Sequence, residues 1–231
     1  LGSRYCTGGY IWQVSDSHRS ELFSGPEYPA EPNTFDGQGA PDFFIRTLGA
    51  EEAPLGGEVG CIGVGRVRRT SQTPFDVRFN REVIEFVRWD VEHAADRVVM
   101  RTRAAFGRWA YALEREVTLA GRRVSSRTAI TNLGSIALPV RWFAHPFFPL
   151  TADGQMCRFS MPFRLAENPG YAVDGGGFIF RKADHDWVKG WYQAVDFERD
   201  AQPLRAAQKH PAVGEVQVET DFQPSFLPIW G

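Results

Sequence analysis

The chain has 231 residues, a length that corresponds to one large domain or two small ones. Its 26 basic and 28 acidic residues give a formal net charge of −2, which argues against a protein that binds nucleic acid through a basic surface. No apolar run approaches the roughly 18 residues of a transmembrane helix, so the sequence predicts no membrane partner. The 23 Gly, 15 Pro and 18 Phe residues favour a globular, β-rich fold with many turns and an aromatic-lined cavity.

The three cysteines, Cys6, Cys61 and Cys157, have no metal-ligand spacing and cannot all pair with one another. We interpret them as buried free thiols in a reducing compartment, which favours a cytoplasmic location. Because the chain begins with Leu rather than Met, a signal peptide that has been removed is an open alternative.

A Pro- and Gly-rich segment, Ser24–Gly57, precedes the regular part of the chain. It is too long for a plain connector, so it predicts either a lid or binding loop or short elements without a clear pattern. The run Gly60–Gly65 superficially resembles a dinucleotide-binding fingerprint. No strand–turn–helix context follows it, so we interpret its glycines as strand and turn residues.

Alternation with a period of two residues recurs from about residue 58 to residue 148 and predicts strands. In Tyr111–Leu119 one face carries Tyr, Leu, Arg, Val and Leu at alternate positions. A turn signal at 120–122 follows directly, and the next alternating run then completes a predicted hairpin. The predicted strands are Val83–Val91, Tyr111–Leu119, Val124–Asn132, Ala137–Phe148, Gly177–Arg181, Gly190–Phe197 and Gly214–Thr220.

Helix signals are weak, and the best of them is the short run Pro203–Lys209. The chain contains no linker, no repeat of fixed period and no low-complexity run. These patterns predict an all-β protein, a large antiparallel β-sandwich or barrel, formed as a single domain over 1–231. Truncation of that domain at both ends is an open alternative.

His145 is the most informative residue for function. In an extended strand, Phe143, His145 and Phe147 share one face, so the imidazole lies between aromatic rings and is partly desolvated, which favours its neutral form. Aromatic faces also suit the apolar faces of a sugar ring. The alternative is a core histidine that bonds a backbone carbonyl. The other four histidines are predicted to lie at the surface: His18, His93, His185 and His210.

The run Leu138–Phe148, with its sequence Leu-Pro-Val-Arg-Trp-Phe-Ala-His-Pro-Phe-Phe, resembles the catalytic-histidine strand of aldose 1-epimerases (galactose mutarotases). It is most similar to a divergent bacterial branch with a His-Pro-x-Phe signature. Ser125–Gly134, Phe35–Pro41 and Ile62–Arg66 also resemble segments of that group. The resemblance covers roughly 35–230 and implies a β-supersandwich fold that holds a sugar in a groove on one sheet.

The resemblance implies mutarotation, in which a histidine acid and a carboxylate base open and reclose a sugar hemiacetal. His145 matches the acid. Glu219 is the candidate base, and a solvated strand face is its alternative. The run 226–230 resembles the strand just before the base in the divergent branch, which would put the base after Gly231. No cofactor is expected, because no electrons or groups leave the sugar.

Candidates for sugar binding are less sharply defined. Arg46 and Arg66 are possible replacements for the family's sugar-binding Arg. Asp36 and Gln38 either bond sugar hydroxyls or satisfy their own tight turn. Phe147 belongs to the aromatic face around His145, and Trp191 with its neighbours is either a stacking platform or core packing. The chain lacks the Asn-Arg pair and the His-Gly-Gly segment that many family members carry.

That lack favours an alternative function, a carbohydrate-binding module with the same fold and no turnover. A polysaccharide-cleaving β-sandwich is a third hypothesis, but no convincing pair of facing carboxylates is present. No metal site is predicted. The identity of the sugar, its phosphorylation and the oligomeric state stay open.

The remaining charged groups are interpreted as surface residues. Asp42 is placed with Asp36, Glu51 and Glu52 in a loose group of solvated loop acids. Arg66, Arg68 and Arg69 either meet a phosphate or form a solvated strand edge.

Overall fold

The computed structural model describes residues 8–18, 20–24, 39–72, 80, 82–198 and 202–231. The chain divides into two compact units, which are described separately. Unit 1 takes in Leu1–Asp16 and Phe23–Phe147, and unit 2 takes in Ser17–Leu22 and Phe148–Gly231. The single domain over 1–231 stays a prediction. No helix of the described residues is long and apolar enough to span a membrane.

Every strand pair in the described residues is antiparallel, which confirms the predicted all-β class and is consistent with a sandwich. The described part of the chain contains no α-helix, only the single 3-10 turn Trp187–Lys189.

The described residues of unit 1 form three sheets, with strand orders β1-β9, β2-β3-β4 and β5-β6-β7-β8. Its strands are β1 Asp42–Phe44, β2 Glu58–Cys61, β3 Gly65–Arg68, β4 Val83–Phe86, β5 Asp90–His93, β6 Arg97–Phe106, β7 Trp109–Ala120, β8 Arg123–Asn132 and β9 Trp142–Ala144.

Strand β1 lies between two hydrophobic clusters of unit 1. On one face Phe43 packs with Val59, Val67 and Phe143, and so joins β1 and β9 to the sheet of β2 and β3. On the other face Phe44 packs in a cluster that includes side chains of β7. All three residues of β1 are therefore buried.

The predicted hairpin is confirmed as β7 and β8, which pair over their full length and turn at Gly121, where φ is +58°. Two other strand predictions were too long. Val83–Val91 is split between β4, which pairs with β3, and β5, which pairs with β6 in a different sheet. Of Ala137–Phe148 only β9 is a regular strand, and before it the Val140 amide bonds the Leu138 carbonyl in a tight turn.

In unit 2 the part of the chain that the structure describes forms three further sheets, with strand orders β10-β15-β16, β11-β14-β17 and β12-β13. Its strands are β10 Cys157–Phe159, β11 Phe163–Leu165, β12 Tyr171–Val173, β13 Ile179–Arg181, β14 Tyr192–Phe197, β15 Arg205–His210, β16 Gly214–Glu219 and β17 Pro228–Trp230.

The core of unit 2 gathers around buried side chains such as Tyr171 and Ile179. The weak helix signal at Pro203–Lys209 does not correspond to a helix, because most of this run lies in β15, the central strand of its sheet. The Ala, Gln and Lys residues of this run favour a helix. Tertiary structure overrides that preference, because β15 pairs with β10 on one side and β16 on the other, and because Ala206 and Ala207 are buried.

Candidate functional site

The segment that carries His145 is fixed by backbone hydrogen bonds to the chain around β1. The His145 amide donates to the Pro41 carbonyl at 2.9 Å, and the Phe147 amide donates to the Gly39 carbonyl at 2.8 Å. Pro146 falls between these two donors. Its missing amide therefore costs the pairing nothing, and the antiparallel arrangement of β1 and β9 continues through the His-Pro-Phe run.

The predicted aromatic face is confirmed. Phe143, His145 and Phe147 are half-buried, while the residues between them are exposed. The His145 ring centroid lies 5.8 Å from that of Phe143 and 4.3 Å from that of Phe147. On its other side, the Phe143 ring makes an edge-on contact with the buried ring of Phe43. The imidazole is thus held from both sides along the strand and has a defined position.

The opposite face of β1 and β9 carries a buried ion pair that the sequence analysis did not predict. The Arg115 guanidinium donates to both carboxylate oxygens of Asp42, at 2.9 and 2.8 Å. The indole Nε1–H of Trp142 donates to the same carboxylate at 2.7 Å. The interpretation of Asp42 as a solvated loop acid was wrong, since this residue is only 4% exposed. Glu51 and Glu52 are exposed as predicted.

Of the two arginine candidates, Arg66 is held by acidic neighbours. Its guanidinium bonds Glu58 at 2.9 Å and Glu85 at 2.7 Å, and these two partners raise its pKa, the hydrogen bond with Glu85 most strongly. Arg46 is exposed on a bend that follows β1. Arg69 corrects the solvated-edge interpretation, because it is 7% exposed and donates to the carbonyls of Ala50, Ala53 and Ser71.

Arg66 also lines an open cleft in unit 1 with a volume of about 310 Å³. The cleft carries three arginines and one glutamate beside aromatic side chains. Its charged lining is Arg66, Glu85, Arg88 and Arg103.

Two buried groups in this cleft are kept from ionising. Burial raises the pKa of the Cys61 thiol to about 12, so this cysteine is not a nucleophile at neutral pH. Burial also raises the pKa of Tyr111, whose hydroxyl accepts the Gly63 amide at 2.9 Å. Both groups are part of the packing at the bottom of the cleft.

The candidate base Glu219 lies in unit 2, at the end of β16. Its carboxylate is 3.7 Å from the Arg205 guanidinium, directly opposite on β15, and its side chain is 48% exposed. This arrangement is the solvated strand face that was its alternative.

Trp191, also in unit 2, packs against the core of that unit, and its ring lies over the Gly170 backbone, where a Cβ would come within 2.9 Å. The packing alternative is therefore the better description of Trp191. His185 lies edge-on to Trp187 and Trp191, with centroids 4.6 and 5.5 Å apart.

His18 and His93 are exposed as predicted, whereas His185 is half-buried. The surface prediction for His210 was wrong. This residue is 2% exposed, and its Nδ1 accepts the amides of Ala212 and Val213.

The candidates Asp36 and Gln38, together with Cys6, lie outside the described residues. Within the described ranges, no group of three or more His, Cys, Asp and Glu side chains could hold a metal ion. Comparison with protein-family models, with curated proteins and with solved structures found no match.

Proposed function

We propose that this protein is an aldose 1-epimerase-like isomerase, which interconverts the α and β anomers of an aldose on the β-supersandwich fold of that family. The observation that carries the proposal is the position of His145, with its imidazole 4.3 Å from the Phe147 ring on a hydrogen-bonded segment. An aromatic face beside an acid–base group suits a sugar, because the ring hydrogens of a sugar present an apolar face.

The reaction needs two proton transfers and no net change in the protein. Protonated His145 donates to the ring oxygen while a carboxylate removes the proton of the anomeric hydroxyl, and the bond from the anomeric carbon to the ring oxygen breaks. Rotation turns the aldehyde over. The hydroxyl then attacks its other face, the two proton transfers run in reverse, and both groups return to their starting states.

Glu219 is the proposed base. To act on a sugar hydroxyl it has to give up its contact with Arg205, which is a weak interaction because both side chains are about half exposed or more. We also propose a cytoplasmic location, which the free buried thiols of Cys61 and Cys157 support.

The test is saturation-transfer NMR of anomer exchange with a panel of aldoses, measured against the uncatalysed rate. We expect exchange above that rate, and a loss of about 10²-fold or more in His145→Ala, the usual size of a general-acid contribution. His93→Ala is the control, because His93 is an exposed histidine of the same unit. Equal exchange in His145→Ala and His93→Ala would contradict the role of His145.

The base is tested in the same way with Glu219→Gln. Its matched control is Glu215→Gln, since Glu215 lies on the same strand and contacts Lys209 across the hairpin. Loss of exchange in Glu219→Gln alone supports the assignment, and equal exchange in the two variants removes Glu219 from the mechanism.

A non-catalytic carbohydrate-binding module is the second candidate. It is favoured by the exposed ion pair of Glu219 with Arg205, which satisfies the charge of the proposed base. Line broadening of a sugar signal without any acceleration of anomer exchange would support this function over the first.

A further inference from the structure

The cleft of unit 1 combines concave shape, aromatic surface and excess positive charge. Its volume of about 310 Å³ falls at the lower end of the range for small-molecule sites, roughly 300–1,000 Å³. The segments that line it come from β2 and β3, from the end of β4 with the residues after it, and from β6, together with Leu48 and with Tyr111 of β7.

Glycines at the bottom of the cleft let other groups approach closely. At Gly60 a Cβ would come within 2.9 Å of the Phe106 ring, so this ring lies directly on the strand backbone. At Gly65, where φ is +142°, a Cβ would come within 2.0 Å of the Glu85 carbonyl oxygen. The glycines of the Gly60–Gly65 run are therefore strand and turn residues, as interpreted, and they also shape this cleft.

The charges that line the cleft do not balance. The guanidinium of Arg66 is satisfied by Glu58 and Glu85, so the carboxylate of Glu85 is already used. Arg88 and Arg103 are exposed, and within the described residues neither has a carboxylate at ion-pairing distance. Two arginines thus face the cleft with their hydrogen-bond donors available.

Backbone hydrogen bonds and strand pairing fix the main-chain positions of Arg88 and Arg103. Arg88 follows Val87, whose amide donates to the Val64 carbonyl at 2.9 Å. Arg103 lies within β6 and pairs with Ala112 of β7. Their guanidinium groups therefore extend from anchored positions toward a site that Phe106 also lines.

We propose that this cleft binds a small ring compound with an anionic oxygen group, a phosphate or a carboxylate, which Arg88 and Arg103 hold while the ring lies against Phe106. Guanidinium groups form paired hydrogen bonds with the oxygens of both anions, and an aromatic surface suits the ring. The inference goes beyond the proposed function and does not depend on it, because it concerns binding by residues other than His145.

The experiment is isothermal titration calorimetry of the full chain with glucose 6-phosphate, glucuronate, inorganic phosphate and glucose. We expect one or both of the sugar anions to bind, and to bind more tightly than inorganic phosphate, while glucose does not compete with them. The two sugar anions distinguish a phosphate ligand from a carboxylate ligand. Affinity should fall on raising the salt, since the two arginines are exposed.

The variants Arg88→Gln and Arg103→Gln should each weaken binding of the sugar anion by about tenfold, as expected for the loss of a charged hydrogen bond. The matched control is Arg122→Gln. Arg122 is exposed in the turn between β7 and β8, and its substitution removes the same charge from the same unit. Each variant replaces an exposed side chain, and its melting temperature verifies the fold.

Three results would overturn the proposal: neither sugar anion binds, the cleft variants bind as tightly as Arg122→Gln, or glucose competes with the anions. If inorganic phosphate bound as tightly as glucose 6-phosphate, the proposed contact between the ligand ring and Phe106 would be contradicted. Anomer exchange is measured separately with neutral aldoses, so failure of the epimerase proposal and failure of this cleft are distinguishable.

Discussion

Arg115 and Asp42 form a buried, two-pronged ion pair that ties β7 to β1. The side chains are 3% and 6% exposed, and both carboxylate oxygens accept from the guanidinium. Asp42 lies one strand away from the His145 segment and also accepts from Trp142 on β9. This pair therefore links the large four-stranded sheet of unit 1 to the segment on which the proposed acid is placed.

Replacing Asp42 by Ala should lower the free energy of unfolding by about 3–5 kcal/mol, because the substitution leaves the Arg115 charge buried without a partner. Urea denaturation measures the change. The double variant Asp42→Leu with Arg115→Met should recover most of the loss, since removing both charges removes the uncompensated one.

The control for this prediction is Glu52→Ala. Glu52 and Arg108 form an ion pair at 3.0 Å in which both side chains are more than 60% exposed, so its loss should cost no more than about 1 kcal/mol. If Asp42→Ala and Glu52→Ala cost the same, the buried pair is not the stabilising link described above.

Tyr111→Phe should destabilise unit 1 by about 1–3 kcal/mol, because removal of the hydroxyl leaves the buried Gly63 amide without an acceptor. Tyr192→Phe, at an exposed position in unit 2, should change stability by less than about 0.5 kcal/mol. Amide hydrogen exchange gives a local readout, since the Gly63 amide should exchange faster in Tyr111→Phe. Unchanged protection at Gly63 would contradict the assigned hydrogen bond.

Gly65→Ala should be more destabilising than Gly56→Ala. Both glycines have positive φ, so both substitutions carry backbone strain. Only at Gly65 does the new Cβ meet backbone, the Glu85 carbonyl oxygen at 2.0 Å, whereas the space at Gly56 is open. Urea denaturation of the two variants measures the difference, and equal losses would show that the Glu85 carbonyl moves aside without cost.

The sequence predicted best those elements whose pattern is local. The β7–β8 hairpin is visible because both strands alternate and Gly121 suits the turn between them. The aromatic face around His145 follows from strand geometry alone. Strand β15 was not visible, because its composition favours a helix and its strand state comes from pairing with two distant neighbours.

The burial of the polar residues was not predicted from the sequence, for a related reason. Arg115 carried a usable signal, since it interrupts the apolar face of the Tyr111–Leu119 run. Its partner Asp42 lies 73 residues away in a Pro- and Gly-rich segment, where no pattern distinguishes a buried acid from a solvated one. His210 beside Pro211 looked exposed, and its burial depends on a turn whose amides its own ring accepts. In each case the partner decides the environment, and sequence spacing does not reveal the partner.

The buried thiols should make the protein less stable at alkaline pH. Burial raises the pKa of Cys61 and of Cys157 from 9.0 to about 12. Above pH 9 the unfolded chain loses these protons while the folded chain keeps them. The folded state then binds more protons than the unfolded state, so the free energy of unfolding falls as the pH rises from about 9 to 12, by at most about 1.4 kcal/mol per pH unit for each thiol.

We expect the free energy of unfolding to fall less steeply with pH in Cys157→Ala than in the parent protein. Both proteins carry Cys6→Ser, so that Cys61 and Cys157 are the only thiols that contribute. Urea denaturation at pH 8, 8.5, 9 and 9.5 measures the slope. This range lies below the ordinary tyrosine pKa of 10.0, at which the buried tyrosines Tyr111 and Tyr171, whose pKa values burial also raises, begin to contribute in the same direction. The same Cys6→Ser protein should react with a thiol reagent at pH 8 only after unfolding. Rapid labelling of the folded protein, or equal slopes in the two proteins, would contradict burial as the cause.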